Sequence, residues 1–182
     1  MKIKADKDIV LQKVRIKSAK EIFNCVDSSR EFLREWLPFV DQTKTWKDTE
    51  KFIKSVVHDR DARKGILFEV RYKDKIVGLI SLRDIDLMHN KAEIGYWLHK
   101  DAVGEGIMTR SCKALIIYAF KDLQLNKLWI RCAVENVRSC NIPKQLGFSF
   151  EGVERQGELL YGKYVDLKVY SLLEKEWVRK ST

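Results

Sequence analysis

Two glycines one residue apart, Gly104 and Gly106, stand in the run Val103-Gly104-Glu105-Gly106-Ile107-Met108, directly before a segment with helical apolar periodicity. Glycine lets the chain turn tightly and brings backbone N–H groups close to a ligand. A helix starting there has unpaired first N–H groups and turns the positive end of its dipole outward. Together these make an anion site suited to a pyrophosphate. Gly104, Gly106, Ile107, Met108 and Thr109 would contribute to it through the backbone. Alone, a GxG pair often marks only a turn. The run is not a dinucleotide fingerprint, because Thr109 holds the third glycine position, and no Gly-Lys-Ser/Thr follows as in a P-loop.

Other reactive side chains are sparse. Cys25, Cys112, Cys132 and Cys140 lie in apolar or mixed contexts without CxxC spacing. That pattern suits reduced thiols in a cytoplasmic protein. His58, His89 and His99 are scattered, so no metal cluster is expected. The 35 basic and 26 acidic residues leave a net charge of +9. A basic balance suits a phosphate-rich cofactor or an acidic partner. The basic residues are dispersed and no RNA-binding or zinc-finger motif accompanies them, which disfavours nucleic acid. The longest apolar run, 115–120, is too short to span a membrane, and the amino terminus lacks the apolar core of a secretion signal.

The elements that must position the turn follow from periodicity. With 182 residues and no Pro/Gly/Ser-rich linker, 1–182 reads as one domain. Residues 7–16 read as a strand and Ser18 as a helix cap. Apolar residues from Ile22 to Leu37 suit two short helices ended by Pro38. A further helix, capped by Asp48 or Thr49, carries Phe52, Ile53, Val56 and Val57 and stops at Gly65. Strands follow at 66–73 and 75–82 around the turn Lys73-Asp74, then at Lys91–Leu98. Met108, Cys112, Leu115, Ile116, Ala119 and Leu123 share one face of the helix after the glycine turn. A strand at 127–134 and a short helix at 136–146 come next. Late strands at 148–152 and 164–172 are joined by 156–163. This order predicts an α+β domain with a mixed sheet rather than a doubly wound parallel one.

Four segments in order, KIVGLISL, AEIGYWL, GEGIMT with its helix and ENVRSCNIPKQLGF, together with the late VDLKVYSLLEKEW, resemble the GCN5-related N-acetyltransferase (GNAT) superfamily. Within it the chain resembles the ribosomal-protein N-acetyltransferase (RimJ/RimL) branch over about residues 7–177. The resemblance implies a mostly antiparallel sheet splayed between 91–98 and 127–134, with acetyl-CoA wedged in the splay. It implies that the pantetheine arm pairs with backbone of Trp97, Leu98 and His99. Asn136 of the N-x-x-S motif would bond that arm, and Lys144 would meet the nucleotide phosphates. Val103 and Met108 depart from the family pattern, and Met108 would narrow the approach. Pro143 favours a helix start near Ser139 or a kink. Dimers are common in this branch.

Amide formation needs a neutral amine. At pH 7 a lysine amine is roughly 3 pH units from neutrality and an N-terminal amine about 1. The family's direct transfer then requires a proton acceptor and a donor to the leaving thiolate. The resemblance makes Glu158 the first candidate base and Glu93 its rival. Ser139 is the candidate thiolate donor, with Tyr164 and Tyr170 behind it. Cys140 lacks the partner base that a ping-pong nucleophile needs. Trp36, Trp46, Leu159 and Tyr161 are expected on the acceptor side, near Phe32, Leu37, Glu35 and Asp41. The favoured acceptor is an acidic protein N-terminus. A polyamine or aminoglycoside is the alternative, and a noncatalytic acyl-CoA-binding module is a reading of another class.

Overall fold

In the computed structural model, the structure describes residues 1–58 and 65–181, the side chains of 58 and 178–181 excepted. The described residues form β1 (Lys2–Lys4), β2 (Ile9–Lys13), α1 (Ala19–Asp27), α2 (Arg30–Arg34), α3 (Phe39–Gln42), α4 (Trp46–His58), β3 (Gly65–Tyr72), β4 (Lys75–Asp86), β5 (Lys91–Leu98), α5 (Ile107–Lys121), β6 (Lys127–Ala133), α6 (Val137–Gln145), β7 (Ser149–Leu160), β8 (Lys163–Leu173) and α7 (Glu174–Ser181). One sheet has the order β1-β2-β3-β4-β5-β6-β8-β7. Only β5 and β6 run parallel; every other neighbouring pair is antiparallel. The expected α+β, mostly antiparallel sheet is therefore present.

Strand alternation assigns the two faces. Phe68, Val70, Ile80, Leu82, Ala92 and Ile94 pack with Ile107, Met108, Cys112, Leu115 and Ile116 of α5. Leu67 and Leu79 point the other way, onto Ile22 of α1 and Ile53 of α4. The same alternation puts Ser81, Arg83, Glu93, Gly95 and Trp97 on the face covered by the amino-terminal helices.

Several local expectations change. The first strand is shorter than 7–16, and β1 is an additional edge strand. Ser18 precedes α1 without a capping side-chain bond. Pro38 opens α3 rather than closing a helix, since its fixed φ suits a first turn. Gly65 begins β3, where its φ of +147° and a close approach to Leu82 O exclude a side chain; the expected helix end before Gly65 lies outside the described residues. The predicted link 156–163 is mostly strand. Tyr161 (φ 50°) and Gly162 (φ 80°) make a two-residue turn, as Lys73 and Asp74 do at φ 47° and 65°.

Candidate active site

The site begins where two strands part. β5 pairs with β6 only at Lys91↔Lys127, Ala92↔Leu128 and Glu93↔Trp129, although both strands run on. β6 finds its partner in β8 along its whole length. Beyond Glu93, one edge of β5 is left open. The N–H of His99 donates to Val77 O at 2.7 Å on the β4 side. Alternation then turns the backbone groups of Ile94, Tyr96 and Leu98 toward the gap. Leu98 thus has the orientation expected of it, whereas the groups of Trp97 face β4. His99 is closed on both sides: its carbonyl accepts from Ala102 N, and its imidazole meets Ser28 Oγ at 3.0 Å and Asp101 N at 3.2 Å. The sequence placed the splay but missed Tyr96, because parity depends on where pairing begins.

A cavity of about 780 Å³ fills the gap. Ile94 to Trp97 line one wall and Ile130 to Ala133 another, with Asn136, Ser139 and Glu158 also in the lining. Trp36, Leu37, Phe39, Thr49 and Phe52 close it from the amino-terminal helices. Trp36 and its expected neighbour Leu37 are in this lining. Trp46 is exposed at the start of α4, and Leu159 is exposed on β7. Tyr161 lies in a smaller pocket of about 290 Å³ with Glu31, Arg34 and Glu35, donating its hydroxyl to Arg34 O at 2.6 Å. Asp41, proposed beside them, pairs with Arg34 at 2.7 Å.

The glycine turn has the geometry of an anion cradle. Gly104 and Gly106 have φ of +93° and +66°, and Gly106 caps α5. A Cβ on either would meet nothing within 4 Å, so backbone conformation rather than crowding calls for glycine, and the space outside is open. Arg110 braces the turn: its guanidinium donates to Glu105 O at 3.0 Å and to Asp6 at 2.5 Å. Met108 is buried in the core, so it does not narrow the approach. Thr109 Oγ1 donates to Gln145 Oε1 at 3.2 Å, joining α5 to α6. Lys144 is exposed in the last turn of α6.

Asn136 caps α6 by accepting the Ser139 N–H at 3.0 Å, so the helix starts at Val137, before Ser139. Pro143 has no N–H to give the Ser139 carbonyl four residues back. The Tyr96 hydroxyl supplies that bond at 3.0 Å, and Ser139 Oγ donates to the Tyr96 oxygen at 3.4 Å. Burial pushes the Tyr96 hydroxyl well above its ordinary value, so it stays protonated. Tyr96→Phe is expected to lower unfolding free energy by about 1 kcal/mol, because a partly buried acceptor loses its donor, measurable by urea unfolding. Cys140 is buried against Cys132, Sγ to Sγ 2.9 Å. Tyr170 is buried and Tyr164 exposed; neither lines the cavity.

The two candidate bases differ sharply. Glu93 is fully buried. Its Oε1 accepts from Arg83 Nη2 at 2.8 Å and Arg131 Nε at 3.1 Å, and its Oε2 from Arg131 Nη2 at 3.0 Å. Both oxygens are committed, and the residue is absent from the cavity wall. Glu158 lies beyond an irregularity in β7 between Glu154 and Glu158, opposite Val165, and faces the cavity. Desolvation raises its pKa above the usual 4.5, assisted by Glu93 and opposed by Arg83 and Arg131. Arg83 and Arg131, which no motif singled out, line the same wall.

Residues 8–149 match the family model described as an acetyltransferase (GNAT) domain. The chain is 33% identical over 178 residues to a putative ribosomal N-acetyltransferase of Bacillus subtilis, covering 96% of each. It is 28% identical to a ribosomal-protein-serine acetyltransferase of Escherichia coli over 93% of this chain and 94% of that protein. Spermidine N(1)-acetyltransferase of E. coli is 27% identical over 76% of this chain and 72% of the relative. Among solved structures, a probable acetyltransferase superposes with a TM-score of 0.91 at 34% identity over 97% and 99% of the two chains. The microcin C7 self-immunity acetyltransferase MccE, solved with acetyl-CoA and AMP, gives 0.88 at 28% identity over 93% and 94%. With the splayed strands, the glycine turn and these matches together, the chain belongs to the GNAT acetyltransferase family, alongside ribosomal-protein-serine acetyltransferases, and is an N-acetyltransferase.

Proposed function

We propose that the protein moves an acetyl group from acetyl-CoA directly to the amine of a protein N-terminus. The observation that carries this reading is one continuous cavity bordered by the open edge of β5, Ser139 and Glu158. The residues present fit acetyl-CoA. Among the described residues, the backbone groups of Ile94, Tyr96 and Leu98 have no strand partner on the β6 side and suit a pantetheine arm. The N–H groups from Gly104 to Thr109 suit its pyrophosphate, the Asn136 amide nitrogen its arm and Lys144 its nucleotide phosphates. When bound, acetyl-CoA supplies a thioester already activated toward an amine.

Glu158 takes the proton from the acceptor amine. Its raised pKa makes it a better proton acceptor than an ordinary glutamate, while the positive charges of Arg83 and Arg131 oppose that rise. Ser139 Oγ holds a proton for the leaving sulfur, backed by the Tyr96 hydroxyl. Glu93 is a positioning residue that fixes Arg83 and Arg131. All four cysteines are thiols, which suits a reducing compartment such as the cytoplasm.

A polyamine acceptor is the second reading, drawn from the spermidine acetyltransferase relatives. A screen with acetyl-CoA and free-thiol detection separates the two. Acidic N-terminal peptides are expected to release thiol well above spermidine and an aminoglycoside. Turnover confined to spermidine overturns the protein acceptor and leaves the enzyme class intact.

A further inference from the structure

Arg83 is the unusual side chain in the cavity wall. Its Nη2 donates to the buried Glu93, and among the described residues its Nε and Nη1 have no other hydrogen bond. Each nitrogen of Arg131 already has a carboxylate partner, with Nε and Nη2 on Glu93 and Nη1 on Glu154 at 3.3 Å. The guanidinium of Arg83 rests over Gly95, where a Cβ would stand 3.2 Å from Nε and 3.3 Å from Cζ. A Cβ at position 95 would press it aside by a few tenths of an ångström. Arg83 is thus seated by the missing side chain of one residue and the buried carboxylate of another. A guanidinium held this way, with donors left over, is built to receive a planar oxyanion.

The surrounding charge agrees. The charged side chains in the lining are Asp48, Lys51, Arg83, Arg131 and Glu158, three cations and two carboxylates. Asp48 Oδ2 is already taken by the N–H groups of Lys44 and Thr45 and the Thr45 hydroxyl. With three cations against two carboxylates, the wall disfavours a polycation.

We infer that Arg83 is the specificity residue of the acceptor site and binds a carboxylate on the acceptor, close to the amine that Glu158 deprotonates. The acceptor is accordingly an N-terminus with an acidic side chain in its first residues. This rests on the proposed protein acceptor and adds which termini are chosen.

The test compares two peptides differing by one group, an N-terminal Ser-Asp sequence and its Ser-Asn counterpart, with the full-length enzyme. Wild type is expected to favour the aspartate peptide in kcat/KM by a factor of about 10 to 100, the worth of a hydrogen bond to a charged group. Arg83→Gln brings that ratio toward one, Arg83→Lys retains part of it, and Gly95→Ala reduces it by displacing the guanidinium. If Arg83→Gln does not fold, the lysine and alanine variants decide by the same ratio. Equal use of both peptides by wild type, or a ratio that survives all soluble variants, overturns the inference. Failure to acetylate either peptide while spermidine is acetylated overturns instead the protein-acceptor reading beneath it.

Discussion

On the proposed mechanism, Glu158→Gln lowers turnover by about 10²- to 10⁴-fold, the usual contribution of a positioned general base. Glutamine keeps the size and a hydrogen-bonding oxygen but cannot take a proton. Affinity for acetyl-CoA, measured by calorimetry, stays near wild type because the anion cradle lies on α5. The pH dependence follows from the direction of the Glu158 shift. A raised carboxyl pKa makes the ionised, active form appear later as pH rises, so the limb that Glu158 contributes to kcat/KM lies above 4.5. The stability consequence has the opposite sense. The protonated carboxyl contributes most below the unfolded value, and that contribution is lost as pH rises through the folded one. The glutamine variant is therefore expected to be no less stable than wild type at pH 7. An unchanged kcat in the variant moves the base role to another group or to water.

Gly106→Val raises the KM for acetyl-CoA by about tenfold or more, equivalent to about 1.4 kcal/mol. Gly106 has a φ of +66°, where a β-branched residue is strained. Holding a residue there costs about 1–2 kcal/mol, which thermal unfolding can read. Relief of that strain re-aims the N–H groups at the start of α5. The added methyls project into space that the structure leaves open, across the cradle. Calorimetric titration with coenzyme A checks the binding half separately from catalysis. Unchanged affinity in a folded variant would place the pyrophosphate elsewhere.

Much of the frame was legible because it is written locally. The alternation in AEIGYWL, the spacing of Met108, Cys112, Leu115, Ile116 and Ala119, and the Gly104–Gly106 pair all report structure within one element. The turns were half legible: Lys73-Asp74 was read, while Tyr161-Gly162 carries the same two-residue signal and was absorbed into a longer link. Pro38 misled because proline suits a helix start as well as an end. The motif singled out Asn136, and the structure spends its side-chain oxygen on Ser139 N.

What the sequence by itself determined is most of the order of elements, the glycine turn before α5 and the family to which they belong. Only the tertiary structure decided the surroundings of the charged residues around the cavity. Glu93, Arg83, Arg131 and Glu158 sit on four different strands, and their electrostatics depend on distances across the sheet that no spacing along the chain encodes. That packing turned Glu93 from a candidate base into the anchor of two guanidiniums, left Glu158 facing the cavity, and moved the open backbone from Trp97 and His99 to Tyr96. The reason is that hydrogen-bond parity and charge pairing are set by neighbours in space, whereas helix caps and turns are set by neighbours in sequence.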